Sequence, residues 1–223
     1  MKMRRVEKRF VNSPGHSARV AQQAEQRVRS LDPRAGDRLL DVGCGNGAAA
    51  VHLAATLGLD VVGVDVDPDQ IREATLAAPN TPAVRFLVAD ATDLPFPDDQ
   101  FNFVYTSKAT HHIPDWQQAI TEMVRVLRPG GHLVYTDFVA PVGRRFPTRA
   151  GINQLASDLA LHRVRQRSSP LRYTIILRTA AKAAPETTAI QAGAWRLEAT
   201  CPRALAAAPR RSAVAFGKAA RHQ

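Results

Sequence analysis

Short runs of apolar and β-branched residues alternate along this chain with stretches of helix-compatible composition. Arg38 to Val42, Val61 to Asp65, Val84 to Ala89, Phe101 to Tyr105 and His132 to Phe138 read as strands. Ala48 to Leu57, Asp69 to Ala78 and Trp116 to Leu127 read as helices. The last of these repeats Trp116, Ala119, Ile120, Met123, Val124 and Leu127 at helical spacing. Pro129-Gly130-Gly131 is expected to stop that helix and turn the chain into the next strand. Such alternation predicts an α/β fold, a parallel sheet with helices on both faces. Upstream, "SARVAQQAEQRVRSLDP" spaces small and apolar residues as a helix before Pro33. Downstream, a helix and two further strands, His162 to Arg167 and Tyr173 to Arg178, are expected.

Composition bounds the setting. The 223 residues are 45% hydrophobic, enough for one domain with a sizeable core, plus tails. No apolar stretch approaches the roughly 20 residues of a membrane span, and "MKMRRVEKRF" lacks the apolar centre of a signal peptide, so a cytoplasmic protein is expected. Two cysteines, Cys44 and Cys201, make neither a disulfide framework nor a cysteine-based metal site, and no metal is expected.

The net charge of +10 suggests a polyanion partner until its position is considered. Residues 1–38 hold ten Lys/Arg against four acids, and residues 183–223 hold six against two. The body between them carries fourteen of each sign and is neutral, so the basic ends read as arms or solvated tails, and nucleic acid is not the expected partner. Three regions follow: a basic helical segment over 1–38, a catalytic domain over 39–182, and an Ala/Arg/Pro-rich tail over 183–223, expected to be flexible. Within the second half of the domain, Arg144, Arg145, Arg149, Arg163, Arg165, Arg167, Arg172 and Arg178 stand against Asp158 alone. Arg144 and Arg145 follow the fifth strand, where they could meet an anionic acceptor.

The chemistry begins at "LLDVGCGNGAAAVHLA", Leu39 to Ala54. Gly43, Gly45 and Gly47 let the backbone approach a ligand closely, and the helix that follows offers free N–H groups. In a doubly wound sheet this turn lies outside the carboxyl ends of the strands, where ligands bind. Asp65 ends the second strand about 20 residues further on, placed to accept both hydroxyls of a ribose. Spacing alone leaves NAD and S-adenosylmethionine open.

Further residues discriminate: Asp41 just before the glycines, Asp90 in "FLVAD", "LPFPDDQFNFVYT", "HHIPDW" and "LRPGG". Together they closely resemble the class I S-adenosylmethionine-dependent methyltransferases, most strongly the small-molecule branch that includes quinone-biosynthesis C-methyltransferases. The resemblance covers Leu39 to Phe138 in register. It implies a Rossmann-like, doubly wound, mostly parallel seven-stranded sheet of order 3-2-1-4-5-7-6, with the seventh strand antiparallel. The N-terminal helix is then expected beside the cofactor opening, as a lid.

The same resemblance implies site roles for S-adenosylmethionine. Gly43 and Gly45 would pass under its methionine part and Asp41 would orient that part. Asp65 would hold the ribose, Asp90 and the Ala91 backbone would face the adenine amino group, and Thr106 would lie beside the sulfonium. His112, in "HIPD", matches a position where related enzymes often carry histidine or asparagine, and His111 is adjacent. Either imidazole could deprotonate an acceptor near neutral pH, or His112 could simply brace its loop. Plain structural roles stand beside these: Asp41 capping the glycine turn, Asp65 capping the helix near Pro68, Asp90 in a surface turn, Cys44 filling space.

A sulfonium methyl is already activated, so the protein's task is in-line placement and exclusion of water. No inserted substrate domain is visible, which points to a compact small-molecule acceptor. Arsenic methylation would call for more thiols, and the "NPPY"-type motif of amino-nitrogen methylation is replaced by "TSKATHHI". The alternatives are an NAD-linked oxidoreductase on the same fold, or a nucleic-acid-associated or non-catalytic S-adenosylmethionine-binding protein.

Overall fold

The computed structural model describes residues 12–78, 81–138, 147–169 and 172–181. In chain order the elements are α1 (Pro14–Arg29), β1 (Arg38–Val42), α2 (Ala48–Leu57), β2 (Asp60–Asp65), α3 (Pro68–Ala77), β3 (Val84–Val88) and β4 (Phe101–Ser107). A 3-10 turn (Thr110–His112), α4 (Trp116–Arg125), β5 (Leu127–Phe138), α5 (Arg149–Asp158), β6 (His162–Ser169) and β7 (Arg172–Arg178) follow. The seven strands form one sheet in the order β3-β2-β1-β4-β5-β7-β6, as expected. Strands β1 to β5 pair in parallel, and β7 runs antiparallel to both β5 and β6.

Two apolar clusters follow from strand alternation, because successive side chains leave a strand on opposite faces. Leu40, Val42, Val104, Leu133, Tyr135, Ile175 and Leu177 pack with Trp116, Ile120 and Met123 of α4 and Ile152 of α5. Leu39, Val61, Phe103, Tyr105, Val134 and Ile176 pack on the other side with Ala24 and Val28 of α1 and Ala50 and Leu53 of α2. The helix α1 is thus part of the core, and an ion pair of Glu25 with His52 (2.6 Å) ties it to α2. Its N-terminal part, carrying His16, Ser17 and Val20, reaches the opening above the strand ends.

Gly63 in the middle of β2 shows how tightly the layers meet. A Cβ there would stand 2.7 Å from the Phe86 ring and 3.0 Å from Cys44 Sγ. Cys44 is buried and its thiol is pushed well up, first by burial. It fills space under the glycine turn, with no base beside it among the described contacts.

The largest departure from expectation lies at the junction of α4 and β5. Helix α4 ends at Arg125, and β5 already begins at Leu127, opposite Phe101. Pro129-Gly130-Gly131 therefore lies inside β5 and does not stop the helix. The β4–β5 register slips between Phe101 and Phe103, and Gly130 takes a φ of 79° at this irregularity. The helix stops earlier because the N–H groups of Gln100 and Phe101 both bond the Val126 carbonyl, which draws the chain into the sheet. As expected, α1 lies before Pro33, ending at Arg29. Residues Arg144 and Arg145, and the tail over 183–223, lie outside the described residues.

Candidate active site

The carboxyl ends of β1, β2 and β4 and the first turns of α1 enclose a cavity of about 620 Å³. Asp41, Gly43, Gly45, Asp65, Asp90, Ala91, His111 and His112 all line it. Thr106 is not among the lining residues. Its neighbours Tyr105 and Ser107 are, and the alternation of β4 turns the buried Thr106 side chain to the opposite face.

The glycine turn is built by its backbone. Gly43 and Cys44 both donate to the Val64 carbonyl, at 2.8 and 3.0 Å, and Gly43 takes a φ of 73°. A Cβ on Gly43 would meet the Ala109 Cβ at 2.3 Å, so the loop after β4 closes directly on the glycine. Asp65 Oδ2 accepts the Gly45 N–H at 3.0 Å, and its Oδ1 accepts the Asp67 N–H at 2.9 Å. The cap of α3 is Asp67, whose side chain accepts from Asp69; Asp65 instead holds the glycine turn. Asp90 Oδ1 accepts the Thr92 N–H and hydroxyl, a tight turn that holds its carboxyl below the usual range. Asp90 thus serves a surface turn while also lining the cavity.

Asp41 does not cap the turn. It is 2% exposed, and its Oδ2 is buried with no hydrogen-bond donor. Burial, reinforced by the Asp65 carboxylate, pushes its pKa up to about 7. Such an orphaned carboxylate in a cavity wall fits a cationic ligand group. Tyr105, paired with Asp41 across β1 and β4, is also buried, with Arg27 and Ser107 facing its hydroxyl.

On the opposite wall a polar network fixes one imidazole. Asp137, at the end of β5 and 1% exposed, accepts from His111 Nδ1 at 2.6 Å and from the His111 N–H at 3.0 Å. It also accepts from the Phe138 N–H at 2.7 Å and from the Thr110 hydroxyl. Having given its proton to Asp137, the Thr110 hydroxyl can only accept from Tyr135, at 2.8 Å. An ionised carboxylate accepts only, so Nδ1 of His111 carries the proton and Nε2 carries the lone pair. The His112 ring lies against that of His111, with centroids 3.9 Å apart and planes tilted by 41°.

Two lining residues, His16 and Lys108, gave no sequence signal. Lys108 Nζ lies 3.0 Å from His16 Nε2, and an ammonium can only donate, so His16 is the acceptor there. Burial pushes both groups down, as do nearby arginines including Arg19 and Arg172. Among the described residues no group of three or more His, Cys, Asp or Glu could hold a metal ion. None of the described helices is long and apolar enough to cross a membrane.

Residues 40–135, the stretch from β1 to β5 that builds this cavity, match a family described as a methyltransferase domain. That match is in keeping with the resemblance of its motifs to the class I S-adenosylmethionine-dependent methyltransferases. Its relatives include the 27-O-demethylrifamycin SV methyltransferase of Amycolatopsis mediterranei, 42% identical over 112 residues, which are 49% of this chain and 41% of that protein. The 2-methyl-6-phytyl-1,4-hydroquinone methyltransferase of Synechocystis is 38% identical over 112 residues, 50% of this chain and 35% of the relative. The methyltransferase domain thus spans about two-fifths of the length of such relatives. In three dimensions the chain resembles a SAM-dependent methyltransferase from Aquifex aeolicus, with a TM-score of 0.66 and 17% identity over 80% of this chain and 100% of the other. At that identity the likeness shows the fold, a Rossmann-like sheet with helices on both faces.

Proposed function

We propose that the protein transfers a methyl group from S-adenosylmethionine to a small-molecule acceptor, with His111 as the general base. The observation that carries this is the single cavity that holds a partnerless buried Asp41 on one wall and the His111–Asp137 pair on the other. The donors present fit the cofactor. Asp41 would face the cationic methionine part, the Asp65 carboxylate the ribose, and Asp90 with the Ala91 backbone the adenine. When bound, S-adenosylmethionine supplies an electrophilic sulfonium methyl.

His111 would take the acceptor proton at Nε2, leaving the acceptor atom nucleophilic toward the methyl that the cofactor would supply, with S-adenosylhomocysteine as the leaving group. Asp137, already bonded to Nδ1, holds the ring in the required tautomer and stabilises the imidazolium. This moves the base from His112, favoured on sequence position, to its neighbour, because the Asp137 contacts fall on His111. The arrangement suits an acceptor atom that loses a proton on methylation, a hydroxyl or an acidic carbon. The names of the two relatives cover a 27-O position and a hydroquinone, which supports that class without choosing within it. Relatives named as methyltransferases speak against the NAD-linked reading.

Calorimetry with S-adenosylhomocysteine and with NAD tests the cofactor. A labelled-methyl screen of phenolic, quinol and hydroxylated metabolites tests the acceptor class. Binding of NAD and not of S-adenosylhomocysteine would refute the proposal.

A further inference from the structure

A second cavity, of about 280 Å³, lies between α1 and the antiparallel end of the sheet and shares no lining residue with the first. Gln26, Arg27 and Ser30 form its helix wall, and Arg165, Arg167, Thr174 and Ile176 form its sheet wall. The sheet wall follows from register. Arg165 stands opposite Ile176 and Arg167 opposite Thr174, so the two arginines, two residues apart, share one face with Ile176 of the α1 and α2 core. The register slips between Arg163 and Arg165, and Arg163 instead bonds Gln166 at 3.0 Å. The irregularity thus separates Arg163 from this pair.

Three arginines from two elements therefore line one small space, and no Asp or Glu among the described residues lines it. The Arg27 guanidinium faces the Tyr105 hydroxyl, but its Nη1 is buried and makes no hydrogen bond, a donor left over for a further acceptor. Like charges at this range repel, and each guanidinium presents donors in a planar fork suited to oxyanions. Helix and strand come from distant parts of the chain, so an anion held between them would join α1 to the sheet edge. We infer that Arg27, Arg165 and Arg167 form a binding site for a phosphate-class oxyanion, distinct from the methyl-transfer cavity. The site stands whether or not the methyl-transfer reading holds.

Thermal melting of the full chain in inorganic phosphate, against chloride at matched ionic strength, tests the site. Phosphate at about five times its Kd is expected to raise Tm by about 2–4 °C in a chain of this size. Glycerol 3-phosphate in a parallel arm separates a site open to phosphate esters, where it acts like phosphate, from one restricted to the free anion. The Arg165→Gln/Arg167→Gln double variant lies on a strand whose every residue is exposed, so it is expected to melt like the parent in chloride and to lose the phosphate-specific rise. Calorimetry with inorganic phosphate on Arg27→Gln gives an independent reading, with binding weakened at least tenfold. An equal Tm in phosphate and chloride overturns the site, as does an undiminished phosphate rise in the double variant. Binding confined to single-stranded DNA, with no response to either small phosphate, also overturns it.

Discussion

Replacing Asp41 by Asn should make the ligand-free protein more stable at alkaline pH while weakening its hold on the cofactor. The Asp41 carboxyl titrates near pH 7 in the fold against an ordinary value of 3.8, because burial and the Asp65 carboxylate oppose its ionisation. The folded state therefore keeps a proton that the unfolded chain has already lost between about pH 4 and pH 7. A group with a raised folded pKa makes stability fall as pH rises through that window. Three units correspond to about 4 kcal/mol at the upper limit. Asn has no proton to lose, so the Asp41→Asn protein lacks this slope and gains on the parent as pH approaches 8. S-adenosylhomocysteine carries the cationic amine that Asp41 would face, and losing one charge-assisted hydrogen bond costs about 1.5–3 kcal/mol, or roughly tenfold to 150-fold in affinity. Denaturant melts at pH 5 and 8, with calorimetry at both, read the two effects separately. In the parent, ligand binding should tighten with pH and release protons near pH 6, visible as a dependence of the binding heat on the buffer. A variant less stable than the parent at pH 8, or one that binds S-adenosylhomocysteine as tightly, would refute the reasoning.

His111→Ala should lower turnover by about 10²- to 10⁴-fold with cofactor affinity near that of the parent, and His112→Ala should cost much less; the reverse ranking in steady-state kinetics would return the base to His112. Asp137→Asn should preserve S-adenosylhomocysteine binding while changing the pH profile of kcat, and an unaltered profile would remove Asp137 from the reaction. Gly43→Ala forces a side chain into a left-handed backbone and onto Ala109, a loss of at least about 1–2 kcal/mol that melting should show as a Tm several degrees lower. Asp65→Ala removes both an acceptor for the ribose and the Gly45 tether, so calorimetry should show affinity at least tenfold weaker.

The parts of the fold set by local pattern were legible. Strand β1 and helix α2 begin and end where composition changes, and the order of the sheet follows from the resemblance over Leu39 to Phe138. The glycine turn and its acids were legible because each stands beside a strand end in sequence. Asp137 was missed although it ends β5 as Asp41 nearly ends β1 and Asp65 ends β2, and reading every strand end for an acid would have found it. Its partner is 26 residues away, joined only because β4 and β5 are parallel neighbours. Lys108 and His16 are 92 residues apart, and nothing local links them. The Pro129-Gly130-Gly131 run misled because those residues break a helix and make a bulge in a strand equally well.

The four donors gathered on Asp137 leave no lone pair to spare, which, with His111 as the proposed base, would set the route of the proton taken from the acceptor. It cannot pass inward, since the Thr110 hydroxyl already points its hydrogen at that carboxylate and Tyr135 points its own at Thr110. If His111 is the base, its extra proton would leave toward the cavity, past the neighbouring His112 ring and out to water. The product occupies that route until it departs. Emptying the site and restoring the base are therefore one event, and an acceptor that lingers after methylation would also hold the next cycle's base in its spent form.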